Sequence, residues 1–209
     1  VYRVDARLRP FGSAGPLSVS LAALEAYLLQ HGRDWERYAY IKARVVNPWD
    51  DADGLYRDVL RPFIYRRYLD YGVFSSLREM KAMIAAEVEK KEYRANLKLG
   101  PGGIREIEFI VQALQLVRGG TVLGLRQQQL LRALPQLVQA GCLPAADAAD
   151  LETAYCFLRL AENRVQALHD RQTHDIPADP LDQQRLAFAM GMAGWDEFLA
   201  ALNVQRERV

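Results

Sequence analysis

The sequence predicts a mainly α-helical protein. One short strand opens it, at the edge of a sheet whose other strands lie outside the chain, and a helical bundle follows. Three observations lead there. Only residues 1–9 alternate with period two. From Ser20 onward, apolar residues recur at helical spacing between recognisable caps. Half of the 209 residues are apolar and a quarter charged, an ordinary globular composition with enough length to bury a core.

In the strand, Tyr2, Val4, Ala6 and Leu8 share one face, and Arg3, Asp5, Arg7 and Arg9 the other. Pro10 ends it, and Gly12, Gly15 and Pro16 make a loop. Ser20 is placed to cap a helix carrying Leu21, Leu24, Tyr27 and Leu28, closed by Gly32. Asp34 opens a second over 34–46, with Trp35, Tyr38, Ile41 and Val45 turned inward, and Asn47-Pro48 stops it. A third is expected from Asp53 to Leu69, strained by Pro62. Ser76 and Glu79 have the spacing of a capping box for a helix reaching Tyr93. The loop Asn96–Gly103 marks a boundary between 1–95 and 96–209. After it, Ile104, Ile107, Ile110, Val111, Leu114 and Val117 define the clearest helix, ended by Gly119-Gly120. Further helices are expected near 126–140, 145–169, 180–190 and 195–208. The chain starts within a strand pattern and ends within a helical one, which reads as a piece of a longer polypeptide.

Lys and Arg number 27 against 26 Asp and Glu, a formal charge of +1, which argues against a nucleic-acid-coating protein. Apolar runs fall far short of the roughly 20 residues of a membrane span. Two cysteines make no disulfide framework, and Cys156, in an apolar helical stretch, reads as a buried thiol in the reducing cytoplasm.

The first strand is the sharpest chemical feature. Asp5 lies among Arg3, Arg7 and Arg9 on one face. Guanidinium forks hold phosphate oxygens, and a carboxylate between them can ligate Mg²⁺, so this face suits polyphosphate; a solvated face of ordinary ion pairs is the alternative. Gly100-Pro101-Gly102-Gly103 opens a helix between Lys98 and Arg105, where free N–H groups favour an anion. Glu106 would instead complement those N–H groups as a cap. Arg105, Glu108, Gln112 and Gln115 form the helix's narrow polar stripe, explained either by an Arg105–Glu108 pair or by a polar cleft. Arg33, Glu36, Arg37, Lys42 and Arg44 make either a solvated basic face or a phosphate-facing patch. Asp51-Ala52-Asp53-Gly54 lacks the further ligands of a calcium loop, and His169 and His174 read as surface residues.

Several long motifs carry a resemblance. They are Val1-Tyr-Arg-Val-Asp-Ala-Arg-Leu-Arg-Pro10 with its loop, Gly32-Arg-Asp-Trp-Glu-Arg-Tyr38, Ile41-Lys-Ala-Arg44, and Lys98-Leu-Gly-Pro-Gly-Gly-Ile-Arg-Glu-Ile-Glu-Phe-Ile-Val-Gln112. In this order and spacing the chain resembles the glutamine-synthetase adenylyltransferases, also called adenylyl-removing enzymes, and most closely their N-terminal, deadenylylating half.

The resemblance implies a polymerase-beta-like nucleotidyltransferase fold, of which 1–95 would be the C-terminal part, followed by a helical domain over 96–209. It implies control of glutamine synthetase by addition and removal of AMP on a tyrosine, with ATP, ADP and phosphate as small partners. Asp5 would be a catalytic Mg²⁺ ligand. Arg7, Arg9, Lys42 and Arg44 would face phosphates, and Glu36, Arg105, Glu106 and Glu108 would support them. Two further carboxylates, from an earlier Asp-x-Asp strand, are not in this chain, so the piece is expected to be inactive alone. The alternatives are the adenylylating half, or a non-catalytic helical module that docks glutamine synthetase or the PII signalling protein.

Overall fold

The computed structural model describes residues 9–46, 54–66, 75, 78–82, 86 and 95–209. The predicted strand lies outside these residues except for Arg9, as do Asp51–Asp53 and Ser76. The described residues are mainly helical and contain no strand; one isolated antiparallel bridge joins Asn96 to Asp175.

Helix α1 spans Leu21–Gln30, and Ser20 Oγ accepts from the Ala23 N–H at 3.2 Å, the expected cap. Helix α2 spans Asp34–Tyr40 and stops well short of residue 46. The chain turns at Ile41, where Ala43 N–H bonds the Tyr40 carbonyl, and so leaves the helix before Lys42 and Arg44. Trp35, expected inside, is 46% exposed, while Glu36 and Arg37 are buried. The third helix begins as a π-helical stretch, Leu55–Leu60, and continues as α3, Arg61–Ile64. Pro62 has no N–H to give, and the wider turns before it accommodate that loss. The backbone leaves the helix at Tyr65, before the expected end at Leu69.

Helix α4 spans Ile104–Arg118, α5 Leu130–Gln139, α6 Ala145–His169, α7 Pro180–Ala189 and α8 Trp195–Glu207. Asp179 caps α7 through the Leu181 and Asp182 N–H groups. Helix α6 packs against α4, α5, α7 and α8. Their apolar faces enclose one core that includes Ile104, Ile107, Val111, Leu134, Leu158, Leu186 and Phe198. A second core gathers Leu28, Ile41, Leu60, Phe63, Ile64 and Tyr65.

Helix α4 belongs to both cores. Ile104, Ile107 and Val111 enter the first; Phe109 and Leu116 enter the second. This is why its sequence is apolar nearly all round: two layers cover two of its faces. No helix of the described residues is long and apolar enough to cross a membrane. Cys156 is exposed, because the outer face of α6 carries it.

Candidate functional site

The loop before α4 is tied to the far end of the chain. Asn96 is buried; its Oδ1 accepts from the Lys98 and Leu99 N–H groups, and its Nδ2 donates to Asp175 Oδ1. Arg206, on α8, donates to the Asn96 carbonyl at 3.0 Å. Gly102 adopts φ +61°, and a Cβ there would lie 2.3 Å from the Arg206 carbonyl oxygen. The glycine is required both for the backbone angle and for the close approach.

This loop closes the helix start against an anion. The N–H groups of Ile104, Arg105 and Glu106 bond the carbonyls of Leu97, Lys98 and Gly103. Gly102 N–H donates to Glu106 Oε2 at 3.0 Å. The donors that could have cradled a phosphate are therefore used internally, with Glu106 as part of the cap.

Glu108 is half-buried, and its Oε1 lies 2.5 Å from Lys42 Nζ. The cation paired with it is thus Lys42, where Arg105 or another cation is expected from the sequence. That pair fastens the loop after α2 to α4, and Gln128 Nε2 donates to the Ala43 carbonyl from the other side. Burial raises the Tyr38 hydroxyl pKa above its usual value, and the Glu108 charge adds to the shift. Arg44 is exposed at the end of the same loop. Gln112 and Gln115 are buried, and Gln115 Nε2 donates to the Leu125 and Gln127 carbonyls. The polar stripe of α4 is therefore not one wet face. Its first turns meet Lys42 and its last turns hold a loop.

Glu36 is also internal. It accepts from the Tyr27 hydroxyl and the Arg33 N–H, both at 2.8 Å. Arg37, expected on a solvated basic face, is fully buried and donates to the Phe63 and Ile64 carbonyls and to Asp34. It caps the C-terminal end of α3, where unpaired carbonyls favour a cation. Arg9 Nε donates to the Gly12 carbonyl, within its own loop. Asp5 and Arg7 lie outside the described residues. Of the expected site residues, the structure brings Lys42 and Glu108 together, with Arg44 near by in sequence, and turns Glu36 and Glu106 to local structural bonds.

Two histidine–carboxylate contacts also escaped sequence reasoning. His169 Nε2 lies 2.6 Å from Asp182 Oδ2, and His174 Nδ1 lies 2.7 Å from Oε1 of the buried Glu162. Each joins residues distant in sequence, so no local spacing announced it. A group of three or more His, Cys, Asp or Glu side chains able to hold a metal does not occur among the described residues.

Comparison with known proteins covers the whole chain. A family model described as "Glutamate-ammonia ligase adenylyltransferase" matches residues 1–56, and one described as "GlnD PII-uridylyltransferase" matches residues 78–209. A "Bifunctional glutamine synthetase adenylyltransferase/adenylyl-removing enzyme" from Stenotrophomonas maltophilia (strain R551-3) is 52% identical over 208 residues, covering 100% of this chain and 22% of the relative. The protein of the same name from Xanthomonas axonopodis pv. citri (strain 306) is likewise 52% identical, with the same coverage. The chain thus spans about 22% of the length of the curated relatives it matches. Over its whole length the chain is therefore similar, at 52% identity, to part of the bifunctional glutamine synthetase adenylyltransferase/adenylyl-removing enzymes, and through residues 78–209, more than half of it, the chain belongs to the family described as "GlnD PII-uridylyltransferase".

Proposed function

We propose that this chain is part of the deadenylylating half of a cytoplasmic bifunctional enzyme that controls glutamine synthetase through AMP on a tyrosine. The observation that carries the reading is the 52% identity over the full chain to enzymes so named. In phosphorolysis, inorganic phosphate attacks the phosphorus of the AMP–tyrosine diester. A new phosphorus–oxygen bond forms, the bond to the tyrosine oxygen breaks, that oxygen takes a proton, and ADP leaves. Two anions must approach each other, so positive charge has to be concentrated near them. Arg7, Arg9, Lys42 and Arg44 would supply it. Lys42 is fixed by Glu108, so Glu108 would act as a positioning residue; Arg105, three residues earlier on α4, would support it; Glu36 and Glu106 would hold the backbone of α2 and α4. Asp5 would bind Mg²⁺, which when present neutralises phosphate charge.

The match of residues 78–209 to the PII-uridylyltransferase description favours a second role, docking of PII or glutamine synthetase by the helical body. Both roles fit one enzyme.

Asp5→Asn in the full-length enzyme tests the assignment. ADP release from adenylylated glutamine synthetase should be lost, while AMP incorporation from ATP persists. Loss of incorporation alone would place the chain in the adenylylating half. Wild-type rates of both would remove Asp5 from the chemistry and leave the docking reading.

A further inference from the structure

Arg61 on α3, Arg126 in the loop before α5 and Arg132 on α5 line one cleft of about 270 Å³, together with Tyr56, Gln127 and Gln129. Its wall is mostly polar and, among the described residues, includes no carboxylate. Among the described residues, none of the three arginines forms an ion pair with an acid. Arg61 lies over the Tyr56 ring at 5.1 Å. Arg126 is held in place: Nε donates to the Gly119 carbonyl at 2.7 Å, Nη2 to that of Gly120 at 3.2 Å, and its guanidinium lies over the Tyr65 ring at 5.4 Å. Arg132 is exposed on the first turn of α5.

Guanidinium groups gathered without acids repel one another, and an anion between them removes that repulsion. Their planar forks match phosphate oxygens, and amide and phenol groups can bond the remaining ones. The cleft lies just below the roughly 300–1,000 Å³ of ordinary ligand pockets, which fits a compact group and not a large organic body. We propose that this cleft binds a diphosphate or longer polyphosphate group, with Arg126 as the rigid anchor and Arg61 and Arg132 closing from α3 and α5. The group could be free or part of a nucleotide; the chemistry of recognition is the same. Nothing in this site depends on Asp5 or on which reaction the enzyme performs.

The test uses the full-length enzyme and phenylglyoxal, which modifies accessible arginines, with modified positions mapped by mass spectrometry. Inorganic pyrophosphate should slow modification of Arg61 and Arg132 about tenfold or more, while Arg164, exposed on α6 outside the cleft, is unchanged. Sodium chloride at equal ionic strength should not reproduce the effect. Arg132→Gln alters an exposed side chain, so the fold should be retained, and protection of Arg61 should need about tenfold more pyrophosphate, the loss of one charge-assisted contact. ATP protecting as well as pyrophosphate would assign a nucleotide's phosphate chain; pyrophosphate alone protecting would assign the free ion. Protection by neither, equal protection by chloride, or unchanged protection in the variant would overturn the site.

Discussion

Arg37 illustrates how a single side chain can join two helices. Its guanidinium is fully buried and donates to the carbonyls of Phe63 and Ile64, so α2 and the end of α3 share it. Removing it would leave those carbonyls and Asp34 without their donor. Arg37→Ala should cost about 3–5 kcal/mol, read as a lower urea midpoint; an unchanged midpoint would show that the buried bonds are replaced without penalty. Asp182 is the pH-sensitive counterpart. Its hydrogen bond with His169, seconded by Arg185, outweighs burial and holds the carboxyl below the usual aspartate range. A lowered folded pKa gives stability that is present above the unfolded value, about 3.9, and lost as pH falls through the folded one. Asp182→Asn should therefore be less stable than wild type at pH 7, and the gap should close on acidification. Thermal melts across that range would reveal a constant gap if the pair did not titrate in this way.

At the scale of elements, the loop before α4 is the sharpest case. A sequence of three glycines around Pro101 resembles an anion cradle, yet the loop's own carbonyls and Glu106 take up the N–H groups. What the glycines serve is contact with α8. Gly102→Ala would combine a positive φ with a Cβ against the Arg206 backbone, and backbone on both sides leaves little room to shift. The expected loss is about 2–4 kcal/mol by thermal unfolding; Ala at Gly141, also at positive φ but in open space, should cost about 1 kcal/mol. Equal effects at the two positions would mean that the approach to Arg206 does not matter.

Across the whole molecule, α4 is the shared wall of two apolar cores. Ile107 is completely buried on one side and Phe109 is 8% exposed on the other. Because one helix serves both, loss of either contact should weaken the whole. Ile107→Ala and Phe109→Ala should each cost about 2–5 kcal/mol and shift one common transition, seen alike by tyrosine fluorescence and helical circular dichroism. Two transitions, with only one moved by each substitution, would show that the cores unfold independently.

Sequence alone determined the helical class and the helices of the second half, since periodicity and caps are local properties: Ala145–His169 falls where 145–169 was expected. It also carried the family, through long motifs in fixed order. Local pattern could not decide where α2 ends, because the turn at Ile41 is bonded from outside by Glu108 and Gln128. Nor could it decide which charges are buried. Glu36, Arg37 and Glu162 look like surface residues in any window, and only packing supplies their partners from other helices and loops. Burial of a charge depends on neighbours far away in the chain, and so does the cleft where Arg61, Arg126 and Arg132 meet, since its walls come from segments that only the tertiary fold brings side by side.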